Sequence, residues 1–597
     1  MRRCLFLLAT TLGSAWAMSV SVTTSVNSPA PLGTLVTFTA TATAPDSTTL
    51  LYRFRTRHFG APVRNRVVAP EFRTVVDYGP KSTLEWTTIQ REGTYEIEAS
   101  VKDNATGEVV NESIPFAFTK LVTATEPVVT PTAHPLVFIY SAPACRPGSR
   151  MRVGFESADG FAQNTAYREC DGRYSMNYYL AGMRANTAYV ARHTVESATG
   201  GLTAAAVTFT TRNVALQFPA AVPLSTPVPS YDRILLHGIL NARSMATDLN
   251  GNLVWYGPAD LSMFTRANGG TFIGIFEDGS QGPAAQIFRE FDLAGVTVAE
   301  TNAAAVNAQL AAMGKQPITS FHHEAIRLAD GGYLVLAGSE RILTGVQGPG
   351  AADILGDTIL VLDRDLKVEW VWDSFAHLDP SRPAVLGETC TYPATLACSA
   401  FYGGSLGNDW LHGNSLQLTP DGNILYSVRH QDWLVKIDYR NGAGTGNILW
   451  RMGPGGDFKI TASDANPWFT HQHDAHFLSD NRTLLLLDNG NTRISNNGDK
   501  GTSRGQVLLV DEQARTVTLL LNADLKVDSS ALGTAETLPN GNYHFDAGFV
   551  QNPSSPNLRF SQALEVDPSG NIVWGMQIDA QEYRSYRMTN LYTPPAQ

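Results

Sequence analysis

Three short segments concentrate side chains able to carry chemistry. They are Phe321-His322-His323-Glu324, Asp409-Trp410-Leu411-His412-Gly413-Asn414-Ser415 and Thr470-His471-Gln472-His473-Asp474-Ala475-His476, each just ahead of a turn. Aligned on the leucine before each turn (Leu328, Leu418, Leu478), His322 and His412 share one register and His323 and His473 the next. An imidazole with an ordinary pKa near 6.5 serves as nucleophile, acid, base or metal ligand at neutral pH. One histidine at a strand start is more often a hydrogen-bonded structural residue. Recurrence at equivalent stations points instead to a shared site, with Glu324, Asn414 and Asp474 placed to fix tautomers. Arg429, in Val428-Arg429-His430-Gln431, follows His412 across the Asp421-Gly422 turn and returns toward the same end. Its planar guanidinium suits an oxyanion with several oxygens, although an ordinary salt bridge is an equal alternative for a lone arginine.

These segments need a scaffold that brings distant stretches together. From about Phe218 onward a strand-turn pattern recurs in LADGGYLVLAG, LTPDGNILYSV, LSDNRTLLLLD and LPNGNYHFDAG. A later strand pair often closes on tryptophan, at Trp255, Trp370, Trp450 and Trp574. Such recurrence predicts an all-β fold with a six-bladed β-propeller over residues 216–597, in preference to a pair of β-sandwiches. In a propeller the innermost strand of every blade lines the central channel, so the three segments would converge at its mouth. Ahead of it, alternating strands predict an immunoglobulin-like β-sandwich over 18–122. After the linker TEPVVTPTAHP, a second sandwich is expected over 123–215. There Leu180…Thr187-Ala188-Tyr189 resembles a fibronectin type III domain, whose tyrosine caps a strand corner. Both modules read as spacer or docking units.

Composition narrows the function. The 597 residues carry 44 Lys and Arg against 55 Asp and Glu, a net charge of −11, with no long basic run for nucleic-acid phosphates. Residues 1–17 show the basic, apolar and small-residue order of a secretory signal peptide, and no later segment suits a membrane span. The expected location is therefore exported, either periplasmic or secreted. Cys145, Cys170, Cys390 and Cys398 remain after Cys4 leaves with the leader. An even number in an exported chain favours disulfides, with Cys145–Cys170 and Cys390–Cys398 preferred for locality. The spacing fits no cysteine-rich zinc site. No phosphate-binding loop, nucleotide-binding fold or serine nucleophile elbow is present, and Asp488-Asn489-Gly490 reads chiefly as turn chemistry near the site.

The segments DWLHGNS, SVRHQ, HQHDAHF and LLLLDNGNTR together resemble the signature segments of the bacterial arylsulfate sulfotransferases. These are exported six-bladed propellers that move a sulfuryl group between phenols without a nucleotide sulfate donor. The resemblance covers roughly 218–597 and is strongest over 320–495. It includes one N-terminal β-sandwich, where this chain has room for two. It implies that His473 is the transiently sulfated nucleophile and that His412, Arg429 and either His323 or His322 complete the catalytic set. It implies small-molecule aryl sulfate and phenol substrates and no cofactor or metal. Asn414, Trp410 and Asp474 are the expected substrate contacts. Trp433, Trp468 and Phe469 are further candidates for stacking, although blade packing accounts for such aromatics more simply.

Two rival functions fit parts of the pattern. A metalloenzyme would use His471 and His473, on one side of a strand, with His476 nearby. A non-catalytic exported propeller would bind a carbohydrate or protein partner. A quinone-dependent dehydrogenase is disfavoured, because its repeated tryptophan-docking motifs are missing.

Overall fold

The computed structural model describes residues 18–44, 49–59, 71–122, 124–226, 233–259, 261–277, 282–388, 407–496, 501–552, 554–555 and 557–594. The expected leader 1–17 and the expected Cys390–Cys398 bridge lie outside the described residues. The fold is all-β, with many antiparallel sheets and, among the described residues, three short α-helices. No helix there is long and apolar enough to cross a membrane.

From residue 234 onward the chain repeats one unit, an antiparallel run of four strands whose order in space is their order in sequence. One run takes Phe321–Arg327, Tyr333–Thr344, Ala351–Leu362 and Val368–Asp373. The next takes Gly413–Leu418, Ile424–Val428, Trp433–Ile437 and Ile448–Met452. A third takes His473–Phe477, Thr483–Asp488, Arg504–Asp511 and Thr516–Asp524. Thr534–Thr537 opens a fourth run and Leu261–Ala267 a fifth. In the sixth, the C-terminal strand Glu582–Met588 pairs antiparallel with Ile234–Ile239, so the two ends of this region share one sheet.

The first strands of these runs, with Glu582–Met588 as the sixth, touch in a closed cycle. Leu261–Ala267 meets Phe321–Arg327, which meets Gly413–Leu418, which meets His473–Phe477. That strand meets Thr534–Thr537, which meets Glu582–Met588, which returns to Leu261–Ala267. Trp255, Trp370, Trp450 and Trp574 all lie on the fourth strands of their runs. Trp255, Trp450 and Trp574 are fully buried between sheets. An indole covers about 150–250 Å², so each burial contributes about 4–6 kcal/mol before entropy is charged.

The N-terminal residues form two further pairs of sheets. Val36, Phe38, Phe54, Ile97 and Phe116 from both sheets of the first pair share one core. Tyr140, Tyr178, Val153, Phe155 and Tyr189 do so in the second. The Tyr189 hydroxyl accepts the Arg184 N–H at 2.9 Å, the strand-corner contact expected of this tyrosine. Cys145 and Cys170 form the first expected disulfide, with Cα atoms 5.3 Å apart.

Two features depart from expectation. Arg73–Gly79 pairs parallel with Thr297–Asn302, so a sheet of the first module runs without a break into the repeat region. Ala303–Ala312, sequence AAAVNAQLAA, is a helix of 10 residues capped by Asn302, whose side chain accepts from Ala305 N. Its alanines supply high helix propensity and its buried Ala303, Val306 and Leu310 pin it to the sheet.

Candidate functional site

The three histidine segments meet at one end of the strand cycle because each opens an inner strand. At every one of these openings the ladder slips. The register shifts fall between Phe321 and Ala325, between Gly413 and Ser415, and between His473 and His476. His323, His412 and Asp474 take left-handed backbone, with φ of 54°, 51° and 50°. A non-glycine residue there costs about 1–2 kcal/mol. Bulges of this kind re-aim side chains, and strain of this kind gathers at functional sites.

The result is a row of imidazoles. His322 and His323 meet Nδ1 to Nδ1 at 2.9 Å. The His323 ring centroid lies 4.8 Å from that of His412 and 5.5 Å from Tyr583. His412 stacks on His430 at 4.5 Å, and His430 lies 5.5 Å from His471. Among the site histidines with an ion-pair partner, His412 has the most exposed side chain, 20% against 2% for His322, so the row reaches solvent past His412.

Partners fix which nitrogen of each ring donates. A carboxylate only accepts, so His412 donates Nδ1–H to Asp409 at 2.6 Å and turns its acceptor nitrogen, Nε2, away. His322 places Nε2 3.2 Å from Asp357. The Arg429 guanidinium donates to His430 Nε2 at 2.6 Å, so His430 Nδ1 donates to the Asp409 carbonyl at 2.6 Å. Arg429 also donates to the Ser530 carbonyl at 3.0 Å. His473 lies with Nδ1 2.6 Å from Asn489 Oδ1, and its Nε2 accepts the Leu532 N–H at 3.3 Å.

Burial dominates the proton affinities. It holds His323, His412 and His473 well below the usual imidazole value, with neighbouring rings adding repulsion, Arg429 repelling a charge on His412 and His473, and Arg584 on His323 and His473. His430 is pushed down to about 3 for the same first reason. Burial lifts Asp409 to about 6 against the pull of His430. Burial would lift Glu388 too, but the His471 hydrogen bond holds it at about 2. At neutral pH His323, His412, His430 and His473 are therefore uncharged, beside the cations Arg429 and Arg584.

The expected tautomer-fixing residues do something else. Glu324 pairs with Arg584 at 2.8 Å, and Asp474 faces the same guanidinium at 3.6 Å. Asn414 donates to the Gln472 carbonyl at 2.6 Å, and its own carbonyl accepts from Arg584 at 2.9 Å. All three lie inside the register shifts, where the strand alternation is broken and the neighbour of a site histidine is re-aimed toward another sheet. Asp409, Asp357 and Asn489 take the orienting positions instead. Trp410, an expected substrate contact, is fully buried, packs on Phe375 and donates to the Arg382 carbonyl at 2.9 Å. Asn414 and Asp474 are likewise buried in these contacts.

His471, His473 and His476 do not share one ligand. His471 faces Asp432 at 2.8 Å and Glu388 at 2.9 Å, while His476 Nδ1 faces the Asp474 carbonyl at 3.0 Å. Two other groups, Glu388-His430-His471 and Asp409-His412-His430, hold their donor atoms within 4.8 Å of one another. Both depend on His430, whose two nitrogens are engaged by a carbonyl and by the Arg429 cation. A guanidinium at that position opposes a metal ion.

The arylsulfotransferase (ASST) family model matches residues 225–587, which takes in all but the last residue of the strand cycle and every histidine of the row. The chain belongs to the arylsulfotransferase family. No curated protein matches it. Among solved structures, a DUF4784 family protein from Bacteroides caccae is similar at 11% identity and TM-score 0.20, covering 73% of this chain and 95% of its own. The purple acid phosphatase PPD1 of yellow lupin is similar at 11% identity and TM-score 0.16, over 34% of this chain and 43% of that one. The chicken interferon gamma receptor alpha chain is similar at 8% identity and TM-score 0.13, over 33% of this chain and 97% of that one.

Proposed function

We propose that residues 216–597 form a six-bladed β-propeller that transfers a sulfuryl group from an aryl sulfate to a phenol through a sulfohistidine at His473. The closed cycle of six inner strands supports the propeller. The observation that carries the function is that one short segment holds both groups, Leu532 N–H meeting His473 Nε2 at 3.3 Å and the Ser530 carbonyl meeting Arg429 at 3.0 Å, within a chain of the arylsulfotransferase family. The two N-terminal modules read as sandwiches of spacer or docking type, and the chain as exported.

Sulfuryl transfer spreads charge over three peripheral oxygens, so positioning and charge stabilisation dominate the catalysis. In the first half-reaction a lone pair of the His473 ring forms the N–S bond while the S–O(aryl) bond breaks, and the phenolate leaves with that electron pair. Arg429 faces the sulfuryl oxygens, and its bonds to His430 and Ser530 hold it in place. In the second half-reaction an acceptor phenol gives its proton to His412, attacks sulfur and restores His473. Asp409 stabilises the imidazolium that His412 becomes, as the carboxylate of a catalytic triad does. Transfer onto and off His473 are mirror steps, so protonated His412 can return a proton to a poor leaving group. His323, in ring contact with His412, faces the site, and His322 orients it from behind.

The test uses p-nitrophenyl sulfate with and without phenol. The proposal expects nitrophenolate release coupled to phenyl sulfate formation, with parallel double-reciprocal lines when both substrates vary. Intersecting lines, or hydrolysis without phenyl sulfate, would contradict the covalent route. A metal-dependent reading draws on the two carboxylate–histidine groups. Activity lost on chelation and restored by a divalent cation would favour it.

A further inference from the structure

The Asp488-Asn489-Gly490 turn does more than reverse the chain. Asn489 is fully buried. Its Nδ2 donates to the Ser529 carbonyl at 2.6 Å and to the Leu532 carbonyl at 3.1 Å. Carbonyls only accept, so both amide hydrogens are committed and the side chain cannot flip without setting oxygen against oxygen. Oδ1 must then face His473 Nδ1 at 2.6 Å, and His473 must donate there. The Leu532 N–H at 3.3 Å from Nε2 points to the same tautomer from the other side of the ring, since Nε2 must accept it.

We infer that Asn489 is a positioning residue that locks His473 in its Nδ1–H tautomer and so makes Nε2 the atom that receives the sulfuryl group. The assignment rests on the proposed transfer through His473. The step balances without a further reactant. Nε2 releases the Leu532 N–H and its lone pair makes the bond to sulfur, the aryl oxygen takes the S–O electrons, and Nδ1 keeps its proton, hydrogen-bonded to Asn489 Oδ1, throughout. The ring is left positively charged beside a neutral amide rather than a carboxylate. A carboxylate would stabilise that charge and hold the sulfuryl group, whereas an amide orients the ring and leaves the group easy to pass on. His412, which must hold a proton, has the carboxylate Asp409 as its partner instead. One segment, Ser529 to Leu532, holds both halves of the device, because Ser529 and Leu532 anchor Asn489 while the Ser530 carbonyl anchors Arg429.

Three measurements on the full chain test this. First, ¹⁵N-histidine NMR at pH 7, with the His473 signals identified from a His473→Gln sample, should show Nε2 unprotonated and Nδ1 protonated. The reverse would overturn the assignment, and this readout needs no turnover, so it stays separate from the failure of the sulfotransferase reading. Second, Asn489→Leu should lower kcat by up to about 100-fold, the cost of misplacing a reacting group, with KM nearly unchanged and a mixed-tautomer NMR signal. Wild-type kcat with an unchanged tautomer would contradict the role. Third, Asn489→Asp keeps the acceptor and adds charge that favours the protonated ring. The acidic limb of its kcat/KM profile should move to higher pH, and an unmoved limb at wild-type kcat would count against it.

Discussion

Asp409 and His412 stand three residues apart in the chain and meet carboxylate to Nδ1 at 2.6 Å, with His412 in left-handed backbone at φ 51°. The backbone turn at His412 folds the segment back so that a residue and its third predecessor form an orienting pair. That pairing makes His412 the proton-handling ring, distinct from His473 with its amide partner.

Asp409→Ala should therefore separate the two half-reactions. Nitrophenolate leaves without a proton, so the initial burst from p-nitrophenyl sulfate should persist. Steady-state transfer to phenol should slow by about 10²–10⁴-fold, the contribution of a positioned acid–base group. Rapid-quench kinetics read both phases, and an equal loss in each would remove Asp409 from proton handling.

Arg429→Ala should cost about 3 kcal/mol of transition-state stabilisation, or roughly 100-fold in kcat. Arg429→Lys should recover little, because an ammonium cannot span His430 and the Ser530 carbonyl while facing the sulfuryl oxygens. Recovery by lysine to within about threefold would mean that only the charge matters.

Much of this was legible in the sequence, and the exceptions share a cause. The repeat of turn strands and the tryptophans at 255, 370, 450 and 574 announced the units, because burial and turn chemistry leave side-chain signatures. The histidine stations were legible as matching registers. Their partners were not, since a bulge at each station breaks the strand periodicity on which any estimate of side-chain direction depends. Glu324 and Asp474 thus meet Arg584, from a strand remote in sequence, rather than the rings beside them. The parallel pairing of Val76 with Glu300 is a backbone bond between distant segments and has no side-chain signature. The helix at Ala303–Ala312 was not foreseen, because its apolar residues fall all round it and leave no one-sided stripe to mark it against the repeated strand pattern.

Stability should fall with pH below neutrality. The folded values of His323, His412 and His473 lie well below the unfolded imidazole value near 6.5, chiefly through burial. The unfolded chain therefore binds more protons in this range. The contribution is complete above pH 6.5 and is lost as pH drops through the window below it toward the folded values. Urea midpoints should decline between pH 6.5 and 4, and His323→Gln should flatten that slope. An identical slope in the variant would show that the acid sensitivity arises elsewhere.

The Cys145–Cys170 bridge closes a loop of sequence separation 25, which in the chain-entropy account stabilises its module by about 3.5 kcal/mol. Reductant or Cys145→Ala with Cys170→Ala should lower the melting temperature of that module while nitrophenolate release from the intact fold is unchanged. Loss of activity in parallel with mild reduction, before any unfolding signal, would tie the bridge to the site.

The most direct measurement is the mass of the protein after brief exposure to p-nitrophenyl sulfate without acceptor, followed by alkaline digestion and peptide mapping. A gain of one sulfuryl mass on the peptide holding His473, removed by added phenol and lost in His473→Asn, is the expected result. Full turnover by His473→Asn, or an adduct on any other residue, would contradict transfer through this ring.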